Sequence, residues 1–331
     1  MPSIPRLHSL LDTALDRTLI GYGNLGYLAR RPGWPDEPLS LAGKVAIVTG
    51  AKAGLGRATA AGLARLGATV HMVVRGRDDG ERVRRELEAE LPGAQLVVDE
   101  CDVSSLASVR AFAEGFRGPL DVLVHNAGVM PSERQESADG NELMLATHVL
   151  GPHLMTRLLR PNLREGAPSR VLWIASGGMY GQRLRADDLQ YEHGEYSPST
   201  GYARTKRAQV VLSERWAREL RADGVVVHAM HPGWVATGGL ATSLPGFSRL
   251  ARPILRTDEQ GADTTVWLAA AAEPGRSSGG FWHDRRRRPL HYIGRTKEGE
   301  ADRLALWDAC ERLTAPEPPS PSPRSPTARA T

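Results

Sequence analysis

Residues 45–56, Val-Ala-Ile-Val-Thr-Gly-Ala-Lys-Ala-Gly-Leu-Gly, constrain this chain more than any other stretch. Val45, Ala46, Ile47 and Val48 form an unbroken apolar run, which suits a strand covered on both faces. Thr49 and Gly50 end the run, and the Ala-, Leu- and Arg-rich residues 55–66 beyond it are good helix formers. Gly50, Gly54 and Gly56 therefore fall in a strand-to-helix turn. Such a turn aims free backbone N–H groups and the positive end of a helix dipole at one point, and glycine lets an anion come close to the backbone. A tight turn without a ligand gives the same local pattern, so the residues further along the chain have to decide.

Strand patterns recur at 69–74, 94–98, 120–124, 170–174, 225–229 and 280–283. Helix patterns at 81–91, 104–116, 141–159, 202–220 and 258–272 separate them. The alternation predicts an α/β fold: a Rossmann-type, doubly wound parallel sheet between two helical layers, with right-handed crossovers. Around this unit, placed at 40–313 with a C-terminal helix, the sequence divides into an N-terminal helical extension and connector (1–39) and a Pro/Ser-rich tail (314–331). The tail has no large apolar residue and reads as disordered. Within the extension, Leu7, Leu11, Ala14 and Leu15 recur at helical spacing and predict an amphipathic helix over 4–20 that packs on the domain surface, with contact to a membrane surface as the lesser alternative because its polar face carries both signs of charge.

Composition excludes several function classes. The net charge of +4 over 331 residues comes with no basic face interleaved with aromatics, which argues against nucleic acid as a partner. The run Arg285 to Arg288 reads as a solvated loop. Cys101 and Cys310 make no disulfide framework and suit a reducing cytoplasm. Charges at Arg6, Asp12, Asp16 and Arg17 interrupt any signal-peptide core, and no run of about twenty apolar residues is present to span a membrane. His228 and His231 lack a matching ligand set, so no metal is expected.

In a doubly wound sheet, ligands bind beyond the carboxyl ends of the strands. After the second strand stands Arg75, where selection of NAD would place a carboxylate on the ribose 2′-hydroxyl. With Lys52 on the same side, two cations favour a 2′-phosphate, hence NADP(H) over NAD(H). The other reading leaves Arg75 in solvent and gives the ribose to Asp78 or Asp79. Asp102 and Val103 follow the third strand; the carboxylate there suits an adenine amino group, or else belongs to the cap region of the next helix with Ser104 or Ser105. Asn126, Ala127 and Gly128 are small residues after the fourth strand, where a cofactor would cross the sheet.

Ser176 follows the fifth strand. Tyr202 and Lys206 lie four apart on a predicted helix and so share one face. A phenol with a pKa near 10 is a poor proton shuttle at neutral pH. An ammonium and a positively charged nicotinamide beside it stabilise the phenolate, and the tyrosine can then exchange a proton with a carbonyl or alcohol oxygen held by the serine. Taken alone, the tyrosine and lysine are equally a pair on a helix surface.

Together these residues resemble the short-chain dehydrogenase/reductase family over roughly residues 40–285. Thr49-Gly50-Ala51-Lys52-Ala53-Gly54-Leu55-Gly56 is similar to its Thr-Gly-x-x-x-Gly-x-Gly turn, and Asn126-Ala127-Gly128 to its sheet-stabilising Asn-Ala-Gly element. Ser176, Tyr202 and Lys206 fall where its catalytic serine, tyrosine and lysine fall, with the lysine also binding ribose. Pro232-Gly233, Val235 and Thr237 resemble its Pro-Gly segment, whose threonine contacts the nicotinamide carboxamide. The nearest branch is the one that holds dehydrogenase/reductase member 12 and the retinol-dehydrogenase-like enzymes. It is carried by Ser176-Gly177-Gly178-Met179, residues 210–217, Met230-His231-Pro232-Gly233-Trp234 and Gln260-Gly261-Ala262-Asp263-Thr264. The resemblance implies pairing into dimers or tetramers through two long helices. One departure stands out: His148 occupies the place of the family's water-holding asparagine. It either holds that water, relays protons itself, or is structural.

For the substrate end, Leu184, Leu189, Tyr191 and Tyr196 are expected to form one wall of a cleft and residues 234–255 a lid with glycine hinges, for a lipophilic carbonyl or alcohol. The same apolar residues would also serve by packing on one another. The rival to an oxidoreductase is a nucleotide-binding scaffold or redox sensor with little turnover, favoured only by His148.

Overall fold

The computed structural model describes residues 12–16, 18–235 and 254–316. Eight strands form one sheet: β1 (Val45–Thr49), β2 (Thr69–Val74), β3 (Gln95–Glu100), β4 (Val122–His125), β5 (Ser169–Ile174), β6 (Val225–Met230), β7 (Gly280–His283) and β8 (Arg286–Arg287). Their order is β3-β2-β1-β4-β5-β6-β7-β8, parallel throughout except for the antiparallel β7–β8 pair. The order reverses between β1 and β4, which opens a crevice at their carboxyl ends. β8 is the departure from the predicted all-parallel sheet. It is two residues long and basic, too short to show any periodicity.

The principal helices are α1 (Asn24–Arg30), α2 (Gly54–Arg65), α3 (Arg77–Glu90), α4 (Leu106–Gly115), α5 (143–158), α6 (Pro198–Glu219), α7 (Asp258–Ala270) and α8 (Glu300–Leu313). Ile47, Leu123 and Trp173 point to one side of the sheet and join the core that includes α4, α5 and α6 residues. Ala46, Val48 and Val124 point to the other side, under α2 and α7. Burial on both faces explains the unbroken apolar run of β1, and each such Val or Leu contributes about 1.5–3 kcal/mol. α2 and α7 pack closely because residue 62 is glycine: a Cβ there would stand 2.5 Å from Val266 Cγ2. α8 lies against α5 and α6, with Trp307 meeting Trp216 and His153 at ring separations of 5.0 Å.

The extension docks through charge. Of its first described helical turn, residues 12–16, Ala14 is exposed while Asp12 and Asp16 are buried. Of the expected apolar face, Leu15 is half-buried, so the described part of the 4–20 helix is held chiefly by its acidic residues; Leu7 and Leu11 lie outside the described residues. Asp12 accepts from Arg30 Nε, Arg286 Nη1 and both Arg288 terminal nitrogens at 2.7–2.9 Å. Burial pushes its carboxyl up, but the guanidinium groups outweigh this and hold it at about 2. The basic run is only in part the solvated loop expected: Arg286 and Arg287 are exposed, but Arg285 pairs with Asp263, and Arg288 is buried on Asp12 and Asp16.

Candidate active site

The glycine turn is built for a backbone-bound anion. Gly50 and Gly54 have φ of +69° and +56°, in the left-handed region that glycine tolerates. A Cβ on Gly56 would lie 2.2 Å from Gly50 O and 2.5 Å from Asn126 Nδ2, so no side chain fits there. Over Gly54 the space is open; a Cβ would meet only Asp258 Oδ1, at 3.8 Å. Open space above free N–H groups at the start of α2 fits the diphosphate of a dinucleotide. Ala53 is the N-cap residue of α2, with no side-chain cap to compete for those groups.

Thr49, expected only to end the strand, organises the switch point. Its hydroxyl accepts from the N–H groups of Asn126 and Ala127 at 2.9 and 3.0 Å. Asn126 Nδ2 donates to Thr49 O at 2.9 Å. The Asn126–Gly128 element is thereby clamped across β1 and β4. Leu55 and Val235 both close on Gly261 of α7, where a Cβ would lie within 2.6 Å of each. This brings the segment after β6 beside the glycine turn. Pro232 and Gly233 are in that segment; Thr237 lies outside the described residues, as does most of 234–255.

Arg75 is exposed at the end of β2. Lys52 forms a 2.9 Å surface pair with Asp79, which neutralises one of the two cations assigned to a 2′-phosphate. The Asp102 carboxylate accepts from the N–H and hydroxyl of Ser104 at 2.9 and 2.7 Å, while Ser105 caps α4. The local turn thus uses one oxygen of Asp102. Val103 is buried, its carbonyl packed on Gly151.

Beyond β5, the Ser176 hydroxyl accepts from Gly178 N–H at 3.2 Å and hydrogen-bonds the Tyr202 side chain. Lys206 Nζ lies 5.3 Å from the Tyr202 ring centre and donates to Ile174 O at 2.8 Å. The three groups are brought together at the carboxyl edge. Burial pushes the phenol up to about 12, offset in part by the Ser176 hydrogen bond, and pulls the Lys206 ammonium down to about 7. The sequence expectation of an acidic phenol rests on the ammonium together with the positive ring of an oxidised nicotinamide, and burial is what those charges have to outweigh.

His148 sits in a π-helical stretch, Ala146–Leu150, inside α5. Its Nε2 accepts from Val129 N–H at 3.0 Å, so the hydrogen is on Nδ1, which donates to Thr205 Oγ1 at 2.8 Å. Thr205 in turn donates to Tyr202 O at 2.9 Å. The His148 backbone carbonyl accepts from Gln209 Nε2 at 2.8 Å. Burial, aided by Lys206, holds the ring well below the ordinary histidine pKa and therefore neutral. With both nitrogens engaged, the ring is placed as a spacer between the Asn-Ala-Gly element and α6.

Leu184 and Tyr191, expected on a cleft wall, are buried. Tyr191 packs on Tyr196 with ring centres 5.0 Å apart. Leu184, Leu189 and Tyr191 border a small cavity that also touches Glu142, Asp188 and Thr205 but neither Ser176 nor Tyr202. Among the described residues, no group of three or more His, Cys, Asp or Glu is placed to hold a metal ion.

The fold and these groups define a class, and comparison with known proteins agrees. The short chain dehydrogenase model matches residues 44–245, and the chain belongs to that family. It is 39% identical to the Bos taurus protein called dehydrogenase/reductase SDR family member 12, over 84% of this chain and 89% of that one. It is 34% identical to Mus musculus retinol dehydrogenase 11, with the same shares covered. Among solved structures, an uncharacterized protein from Mycobacterium paratuberculosis superposes with a TM-score of 0.68 at 32% identity, covering 85% of this chain and 97% of that one.

Proposed function

We propose that this protein is an NADP(H)-dependent oxidoreductase that interconverts a lipophilic carbonyl compound and its alcohol. The observation that carries the reading is the Ser176–Tyr202–Lys206 group, set at the same sheet edge as the glycine cradle. A nicotinamide dinucleotide, when bound, supplies or accepts the hydride and, when oxidised, brings a positive charge beside Tyr202. Gly50, Gly54 and Gly56 hold its diphosphate by backbone N–H groups, and Arg75 takes the 2′-phosphate. Ser176 Oγ holds the substrate oxygen. In reduction, the Tyr202 hydroxyl gives its proton to that oxygen as the hydride reaches carbon; in oxidation it takes the proton back. Lys206 holds the phenolate and the nicotinamide ribose. A phenol near 12 is poorly matched to neutral pH, so a positive charge brought by the cofactor is part of the design. Names of relatives such as retinol dehydrogenase 11 support an apolar alcohol or aldehyde as substrate. Cys101 and Cys310, both buried thiols, support the cytoplasmic location we favour. Among the described residues no helix is long and apolar enough to cross a membrane.

Tyr202→Phe tests the assignment. Turnover should fall by a factor of about a hundred or more, as expected for removing a general acid, while NADPH affinity measured by fluorescence stays. Full activity in that variant would end the assignment. NADPH binding with no oxidation across a broad carbonyl panel would favour the scaffold reading instead.

A further inference from the structure

The N-terminal extension reaches the catalytic edge. Tyr22 sits between the turn that carries Ser176 and the segment after β6. A Cβ placed on Gly177, the residue after Ser176, would lie 3.2 Å from Tyr22 Cε1 and 3.6 Å from His231 Nδ1. On the other side, Tyr22 O accepts from Trp234 N–H at 2.7 Å, and a Cβ on Gly233 would lie 2.5 Å from the same oxygen. Gly233 has φ of +79°, so glycine at this place serves both the turn and the close approach of the extension. The Tyr22 ring stacks with His231, His283 and Trp234 at interplanar angles of 19–27°. Tyr22 is half-buried.

Its place is fixed from below. Arg30 Nη1 donates to Gly21 O at 2.6 Å, and Arg256 reaches Gly21 O and Gly23 O at 3.2 Å. Asp284 pairs both guanidinium groups. A side chain held this firmly beside the substrate-orienting serine shapes whatever enters. From this juxtaposition we infer that the extension is a wall of the substrate cleft and that Tyr22 sets the size of the group accepted on the carbonyl carbon. The inference rests on the oxidoreductase reading, and deepens it. The aromatic face that Tyr22 and Trp234 share suits a flat or apolar substituent.

The test compares the full-length parent with Tyr22→Ala, Tyr22→Trp and Tyr22→Phe. The readout is the ratio of kcat/KM for a bulky aryl aldehyde over propanal, with NADPH. A second readout is the ratio of affinities for unreactive amides of matching sizes, measured by titration on the cofactor-loaded protein. Alanine should raise both ratios about tenfold, tryptophan should lower them, and phenylalanine should leave them within about twofold. A structural role alone lowers both substrates together and leaves the ratios fixed; ratios that do not move in the alanine and tryptophan variants overturn the proposal. Amide ratios that shift while the parent turns over no aldehyde would uphold the wall and refute the oxidoreductase reading.

Discussion

Asp284→Asn isolates the charge cluster that holds the extension. Asp284 is 1% exposed and accepts three short contacts: 2.6 and 2.8 Å from Arg256 and 2.7 Å from Arg30. Asparagine keeps the shape and tolerates the left-handed φ of +50° at this residue, which alanine would not. The substitution therefore removes charge and little else. It leaves two guanidinium groups, each with a side chain at most 3% exposed, short of a counter-charge, although Asp12 still faces Arg30. Breaking a buried pair costs about 3–5 kcal/mol, since the remaining charge stays desolvated. Thermal midpoint should fall by roughly 6–15 °C at about 2–3 °C per kcal/mol for a chain of this size. Urea unfolding followed by tryptophan fluorescence measures the loss. If instead the extension lets go locally, the segment around Asn24–Arg30 becomes cleavable by protease at urea concentrations where the sheet is intact. A loss below about 1 kcal/mol with no gain in cleavage would refute the argument. So would strict additivity of Asp284→Asn with Arg256→Gln, because groups in contact should couple.

Three further outcomes are expected at the site. Lys206 titrates near 7 folded and 10.5 unfolded, so between those values the unfolded chain binds the extra proton and stability falls as pH drops through the window. The parent should gain about 3–4 kcal/mol between pH 7 and pH 10 relative to Lys206→Met in paired urea titrations without cofactor; equal slopes would contradict the burial argument. His148→Asn should cost about 1–3 kcal/mol by leaving Val129 N–H or Thr205 without its partner. Its pH–rate profile should match the parent's, and a displaced limb would instead assign the ring a proton-relay role. Arg75→Ala should lower the NADPH-over-NADH ratio of kcat/KM by roughly tenfold or more, the worth of a charged hydrogen bond; an unchanged ratio would move the 2′-phosphate elsewhere.

The layered fold was legible because its signals are local. A strand covered on both faces must be apolar throughout, and residues 45–48 are. The glycine turn and the Tyr202–Lys206 spacing were equally plain, since each depends on neighbours a few residues away. What escaped notice depends on contacts between distant residues. Arg288 looks like a surface charge until Asp12, far back in the sequence, is seen against it. Tyr22 has no motif; only the closure of the extension on Gly177 and Gly233 places it. The phenol's raised pKa comes from burial, which spacing alone does not report. The π-helical stretch at Ala146–Leu150 gave no periodicity of its own within the apolar helix pattern.

The salt link from Asp12 to Arg288 spans 276 positions. On a ribosome that adds about 5–20 residues per second, the first partner waits roughly 15–55 s for the second to emerge. Arg30 waits through nearly all of that interval for Asp284, whereas Tyr202 and Lys206 emerge within it and complete the catalytic group before Asp284 and Arg288 are made. The tyrosine–lysine pair is thus synthesised before Tyr22 can be locked in place beside Gly177.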